Sequence, residues 1–115
     1  MKKVLLINDS KLENLIMKDT LKTFGYDVMV ADEYTALDQI SKYQPHYAIV
    51  NLIMKETNGN VMAKKIKKID STVRCIISSS SDIKKDEFDA RIIDDVIKTP
   101  VEGYALNGIL NNLEN

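Results

Sequence analysis

Five short, almost wholly apolar runs mark this chain, at residues 4–7, 27–31, 47–51, 74–78 and 94–98, and each is followed by a stretch with helical spacing. A strand that is apolar on both sides must be covered on both sides, and this is the pattern of parallel strands packed under helices. Strand–helix units repeated in tandem return in the same direction by right-handed crossovers, which puts helices on the two faces of a parallel sheet. At 115 residues there is room for one core, so residues 1–115 read as a single domain. The expected fold class is α/β, a flavodoxin-like (βα)5 three-layer sandwich with strand order 2-1-3-4-5. Its topological switch point falls between the first and third strands, and ligands bind there at the carboxyl ends.

The helical segments can be placed by their signals. Ser10-Lys11-Leu12-Glu13 is a capping box, with an apolar stripe of Leu12, Leu15, Ile16 and Phe24 behind it and Gly25 as the stop. A second helix is expected over about 35–43, with Leu37 and Ile40 turned inward and Pro45 beyond its end. A third begins after Asn58-Gly59 and carries Met62, Ile66 and Ile69. A fourth, short and mostly charged, is expected over about 82–91. The last shows Leu106, Ile109, Leu110 and Leu113 at i, i+3, i+4 and i+7.

Charge narrows the possible partners. With 16 basic and 17 acidic residues the formal net charge is −1, which gives neither nucleic acid nor an anionic membrane a reason to bind. No apolar run approaches the roughly 20 residues that span a bilayer. The N-terminal Met1-Lys2-Lys3 leads straight into a strand with no cleavage site, so a cytoplasmic protein is expected. The single cysteine, Cys75, lies in an apolar strand and reads as a buried, inert thiol. His46, beside Pro45, reads as a surface residue. Lys64, Lys65, Lys67 and Lys68 read as a solvated face without aromatics for stacking bases. The methionines at 17, 29, 54 and 62 read as core filling.

The polar residues cluster at the strand ends. The first strand runs into Asn8-Asp9-Ser10, the third ends at Asn51, and the fourth at Ser78-Ser79. The fifth ends in Lys98-Thr99-Pro100. In this order the four strand ends resemble the phosphorylation pocket of the receiver domain of bacterial response regulators, the CheY-like family. The resemblance covers essentially the whole chain. It implies an acidic pocket at Asn8 and Asp9, a phosphoacceptor position at Asn51, a switch hydroxyl at Ser79 or Ser78, and a lysine-proline motif over Lys98, Thr99 and Pro100. It also implies an aromatic-switch position at Val96 and a cis Thr99–Pro100 bond.

Several of those positions hold the wrong chemistry for phosphotransfer. The family's acceptor is an aspartate that attacks as a carboxylate, and a neutral carboxamide at Asn51 forms no acyl phosphate. The family's magnesium is held largely by carboxylates, and of the three acid positions only Asp9 keeps its charge; metal binding is expected to be weak at best, with no other cofactor. The family lysine directly precedes the proline, where Thr99 stands here; Lys98 is one residue early and strand alternation turns it away. Val96 cannot swing inward as an aromatic does.

The expected function is therefore that of a degenerate, or pseudo-, receiver. It is a non-enzymatic signal-transduction domain of the two-component phosphorelay type that acts by protein–protein contact. The resemblance implies a docking face built from the fourth helix, fifth strand and last helix, including Phe88, Arg91, Ile92 and Tyr104. A histidine kinase or an output domain would dock there, and the same face leaves room for a homodimer. One alternative is an active phosphoacceptor that uses another residue such as Asp9. A second is a flavin or nucleotide binder of flavodoxin type, which wants more hydroxyls or glycines after the first strand than Ser10-Lys11-Leu12-Glu13-Asn14 supplies.

Overall fold

The computed structural model describes residues 2–114; Met1, which opens the N-terminal reading above, and Asn115 lie outside it. Five strands form one parallel sheet, β1 Lys3–Ile7, β2 Asp27–Ala31, β3 Tyr47–Asn51, β4 Arg74–Ser79 and β5 Asp95–Lys98. The order is β2-β1-β3-β4-β5, so the switch point falls between β1 and β3 as the alternation requires. The helices are α1 Lys11–Thr23, α2 Ala36–Tyr43, α3 Gly59–Ile69 and α4 Gly103–Asn112.

Strand alternation divides the core in two. Leu5, Ile7, Val50 and Ile77 point to one side, where Ala36, Ile40, Met62 and Ile66 of α2 and α3 close over them. Val4, Leu6, Ile49, Ile76 and Ile97 point to the other, under Met17, Leu21, Leu106 and Leu110 of α1 and α4. The strands are buried on both faces because both faces are covered.

The expected fourth helix over 82–91 does not form. The β4–β5 crossing holds only a 3-10 turn at Lys85–Glu87, so among the described residues the fold has four α-helices. The acids that made the segment look like a helix surface bond to their own backbone instead. Glu87 accepts from the Lys84 amide at 3.0 Å, and Asp89 from the Arg91 amide at 2.9 Å, which competes with helical pairing. Ile83, Phe88 and Ile92 still pack against the core from this irregular crossing.

The reading of α1 also changes. The helix buries Met17 and Leu21, while Leu12, Leu15 and Ile16 are 67%, 67% and 55% exposed. Both sets have helical spacing, and spacing alone cannot choose between two apolar faces. Only half of the capping box forms. Ser10 Oγ accepts from the Glu13 amide at 3.3 Å, but the Ser10 amide donates to Asn8 Oδ1 at 2.9 Å, leaving the Glu13 carboxylate free to meet the Thr99 hydroxyl. On α3, Ile69 is exposed and Ala63 takes the buried place beside Met62 and Ile66.

Lys67 departs from the solvated face expected of it. Its Nζ lies 2.9 Å from Asp94 Oδ2, with both side chains about 15% exposed or less. The same oxygen accepts from the Cys75 amide at 2.8 Å, so one carboxylate ties the entry of β5 to α3 and β4. Cys75 is fully buried, and burial pushes its thiol up to about 12. His46 is exposed, with Nδ1 accepting from the Lys3 amide at 3.0 Å. No helix among the described residues is long and apolar enough to cross a membrane.

Candidate functional site

The carboxyl ends of β1, β3 and β4 gather the polar residues singled out above. Asn8 is half-buried; its Oδ1 accepts from the Ser10 amide, and its backbone carbonyl accepts from Asn14 Nδ2, both at 2.9 Å. Asp9 is exposed and makes no hydrogen bond or ion pair among the described residues. Asn51 pairs in register with Ser78, and its Nδ2 donates to the Ile53 carbonyl at 2.7 Å. By alternation Asn51, Ser78 and Thr99 lie on the α1/α4 side of the sheet, in line with Ile49, Ile76 and Ile97. Ser79 lies on the other side and closes its own turn, accepting from the Ser81 amide at 3.1 Å.

The end of β5 follows the same rule. Thr99 Oγ1 donates to Glu13 Oε1 of α1 at 3.2 Å, while Lys98, one residue earlier, faces the opposite way and pairs with Asp82 at 2.8 Å. That contact holds the Asp82 carboxyl below the usual carboxylate range. Val96 is half-buried against the α2/α3 core. The Thr99–Pro100 bond is cis, as expected.

The connection from β3 to α3, residues 52–58, is tied to the fold at several backbone atoms. The Leu52 amide donates to Ser78 O and its carbonyl accepts from Gly59, both at 2.8 Å. Ile53 and Asn58 form an antiparallel bridge, and Met54 is buried beneath the turn. Gly59 is required: a Cβ there would lie 2.7 Å from Asn51 O and 2.9 Å from Ile77 Cδ1. Asn58 caps α3 by accepting from the Val61 amide at 3.0 Å. The outer side of the turn is gripped by Glu33, whose carboxylate accepts from the amides of Glu56 and Thr57, each at 3.1 Å. Glu33 was absent from the sequence reading. Its signal was available, since Asp32-Glu33 closes β2 as Asn8-Asp9 closes β1.

Two concavities adjoin these residues. A polar crevice of about 450 Å3 opens over the ends of β1 and β2 and is lined by Asn8, Asp9, Lys11, Asp32, Glu33 and Lys55; Asn51 does not line it. An apolar groove of about 350 Å3 runs between α1 and the β5–α4 connection, along Leu12, Ile16, Val101 and Leu106. Among the described residues no three His, Cys, Asp or Glu side chains are grouped so as to hold a metal ion.

Residues 4–106 match the response regulator receiver domain family. The chain belongs to that family. It is 30% identical to the chemotaxis protein CheY of Thermotoga maritima over 83 residues, covering 69% of this chain and 68% of that protein. It is 26% identical to CheY of Bacillus subtilis over 80 residues, covering 68% of this chain and 67% of that one. Among solved structures, chemotaxis protein CheY4 of Vibrio cholerae superposes with a TM-score of 0.89 at 22% identity, covering 98% of both chains. The response regulator TrrA of Thermotoga maritima, solved in complex with Mg2+-BeF, gives 0.88 at 18% identity over 98% of this chain and 99% of that one.

The structure brings together only some of the positions that the receiver resemblance assigned. Asn51, Ser78 and Thr99 share one side of the sheet, with Asn8 and Asp9 at the neighbouring strand end. Lys98 and Ser79 do not join them.

Proposed function

We propose that this receiver domain passes its signal by protein–protein contact and takes no phosphoryl group at residue 51. The observation that carries the reading is the side chain at the end of β3. It is a neutral carboxamide, and its N–H is committed to the Ile53 carbonyl. The amide nitrogen is delocalised and the oxygen is no carboxylate, so no acyl phosphate forms there. The position directly before Pro100 holds a hydroxyl bonded to Glu13, and Lys98, one residue earlier, is turned to Asp82. Ser78, the register partner of Asn51, is the better choice for the switch-hydroxyl position; Ser79 lies on the wrong face.

The side chains present do not suit magnesium. Magnesium dehydrates reluctantly and wants carboxylate oxygens. Asp9 is the single carboxylate among the three acid positions, Asn8 Oδ1 already accepts from Ser10, and Asn51 presents N–H to the one carbonyl it touches. Thermal melts with and without millimolar magnesium are expected to coincide.

The partner would be a histidine kinase or an output domain. The docking face expected from the resemblance is altered: its helix over 82–91 is a 3-10 turn, Phe88 and Ile92 are half-buried, and Tyr104, 84% exposed, stands out beside Phe24. Incubation with a small acyl-phosphate donor and magnesium, followed by intact-mass measurement, tests the reading. No gain of a phosphoryl group is expected. A gain that Asp9→Asn abolishes would install the alternative acceptor, whose exposed carboxylate is the one observation in its favour. The flavin or nucleotide reading fits less well than receiver-family membership.

A further inference from the structure

Three backbone atoms of the 52–58 connection, the Ile53 carbonyl and the Glu56 and Thr57 amides, are satisfied by two side chains that come from different parts of the fold. Asn51 donates from the end of β3 to the Ile53 carbonyl at 2.7 Å. Glu33 comes from the β2–α2 connection, and its two carboxylate oxygens accept from Glu56 at 3.1 and 3.3 Å and from Thr57 at 3.1 Å. In the sheet β2 and β3 are not neighbours, since β1 lies between them. Glu33 therefore reaches across the end of β1 and bridges the switch point. We propose that these two side chains latch the 52–58 connection from within, so that its conformation answers neither to a divalent cation nor to a phosphoryl group.

This deepens the proposed function and rests on its reading of residue 51. A cation held at the carboxyl end of β3 would need to draw on the oxygens there, the Ile53 carbonyl among them, and a carbonyl has two lone pairs to offer. The amide that occupies Ile53 O also directs N–H hydrogens, with their partial positive charge, toward the place where the cation's charge would lie. The cation is thus opposed by repulsion as well as by the lack of carboxylates. On the far side of the turn, a carboxylate accepting from backbone amides makes the stronger, charge-assisted kind of hydrogen bond, and it needs no metal to do so. Met54, 7% exposed, and the bridge between Ile53 and Asn58 hold the turn between these two ties.

Amide hydrogen exchange read by NMR, without any phosphodonor, tests the latch. In the unmodified protein the Glu56 and Thr57 amides are expected to be protected, to the same degree with and without millimolar magnesium. Glu33→Ala should speed their exchange roughly tenfold or more, while the core amides of Val50 and Ile77 stay unchanged. Glu33→Gln keeps one acceptor oxygen and should give an intermediate rate; it supplies the answer if Glu33→Ala loosens the core as well. Asn51→Asp should make exchange over 54–57 depend on magnesium. Unchanged protection in both Glu33 variants, or a magnesium response in the unmodified protein, would overturn the latch. Phosphoryl uptake seen by intact mass would instead sink the proposed function and leave the Glu33 result standing.

Discussion

Gly59 is the tightest point of the site. A methyl group added there would run into the Asn51 carbonyl and the tip of Ile77, which belong to the central strands β3 and β4. Gly59→Ala is expected to destabilise the fold by roughly 1–3 kcal/mol, the usual range for an overpacked core position, as read by urea unfolding. It should also loosen the 52–58 connection, whose first and last turns meet at that glycine. At this scale the sequence was informative about residue identity and poor on residue contacts. That residue 51 is an amide, and that Lys98 is out of phase with the proline, could be read directly, because strand alternation fixes which way each faces. The partners of Glu33, Glu13 and Asp94 could not. Each bonds to backbone or side chains far off in sequence, and no periodicity encodes such a pairing.

The helices show where periodicity stops deciding. On α1, one apolar face turns Met17 and Leu21 into the core and a second leaves Leu12, Leu15 and Ile16 in solvent. The two should separate cleanly in unfolding experiments. Leu21→Ala is expected to cost roughly 2–5 kcal/mol as a buried truncation. Leu15→Ser and Ile16→Ser should stay within roughly 0.5 kcal/mol of the unmodified protein. Equal losses from both sets would mean that the second face is covered in solution. The segment over 82–91 misleads for a different reason. Its acids and lysines suit an exposed helix surface, but Ile83, Phe88 and Ile92 do not fall on one helical face, and Glu87 and Asp89 find nearer partners in their own backbone. Composition favoured a helix there; local hydrogen bonding selected a turn.

For the whole molecule, five apolar runs in alternation were enough for sheet order and for the two-sided core, since few topologies bury such strands. That burial also shapes stability at high pH. Cys75 and Tyr47 are both pushed up to about 12, chiefly by desolvation, so the fold favours their neutral forms. The unfolded chain releases these protons near pH 8.5 and 10. The contribution is thus complete below about pH 8.5 and is lost between there and pH 12, by an amount on the order of a few kcal/mol. Urea midpoints should fall across that window, and Cys75→Ala should shift the onset upward. A different kind of resilience follows from how β5 is fastened. The irregular crossing before it exposes Lys84, Lys85 and Arg91, where trypsin can seat an extended backbone. Beyond it, Asp94 is riveted to Lys67 and the Cys75 amide, β5 pairs with β4, and Leu106 and Leu110 are sunk in the core. Limited digestion should give two bands on a denaturing gel and one undivided peak on a sizing column: a severed chain whose pieces still travel as one body.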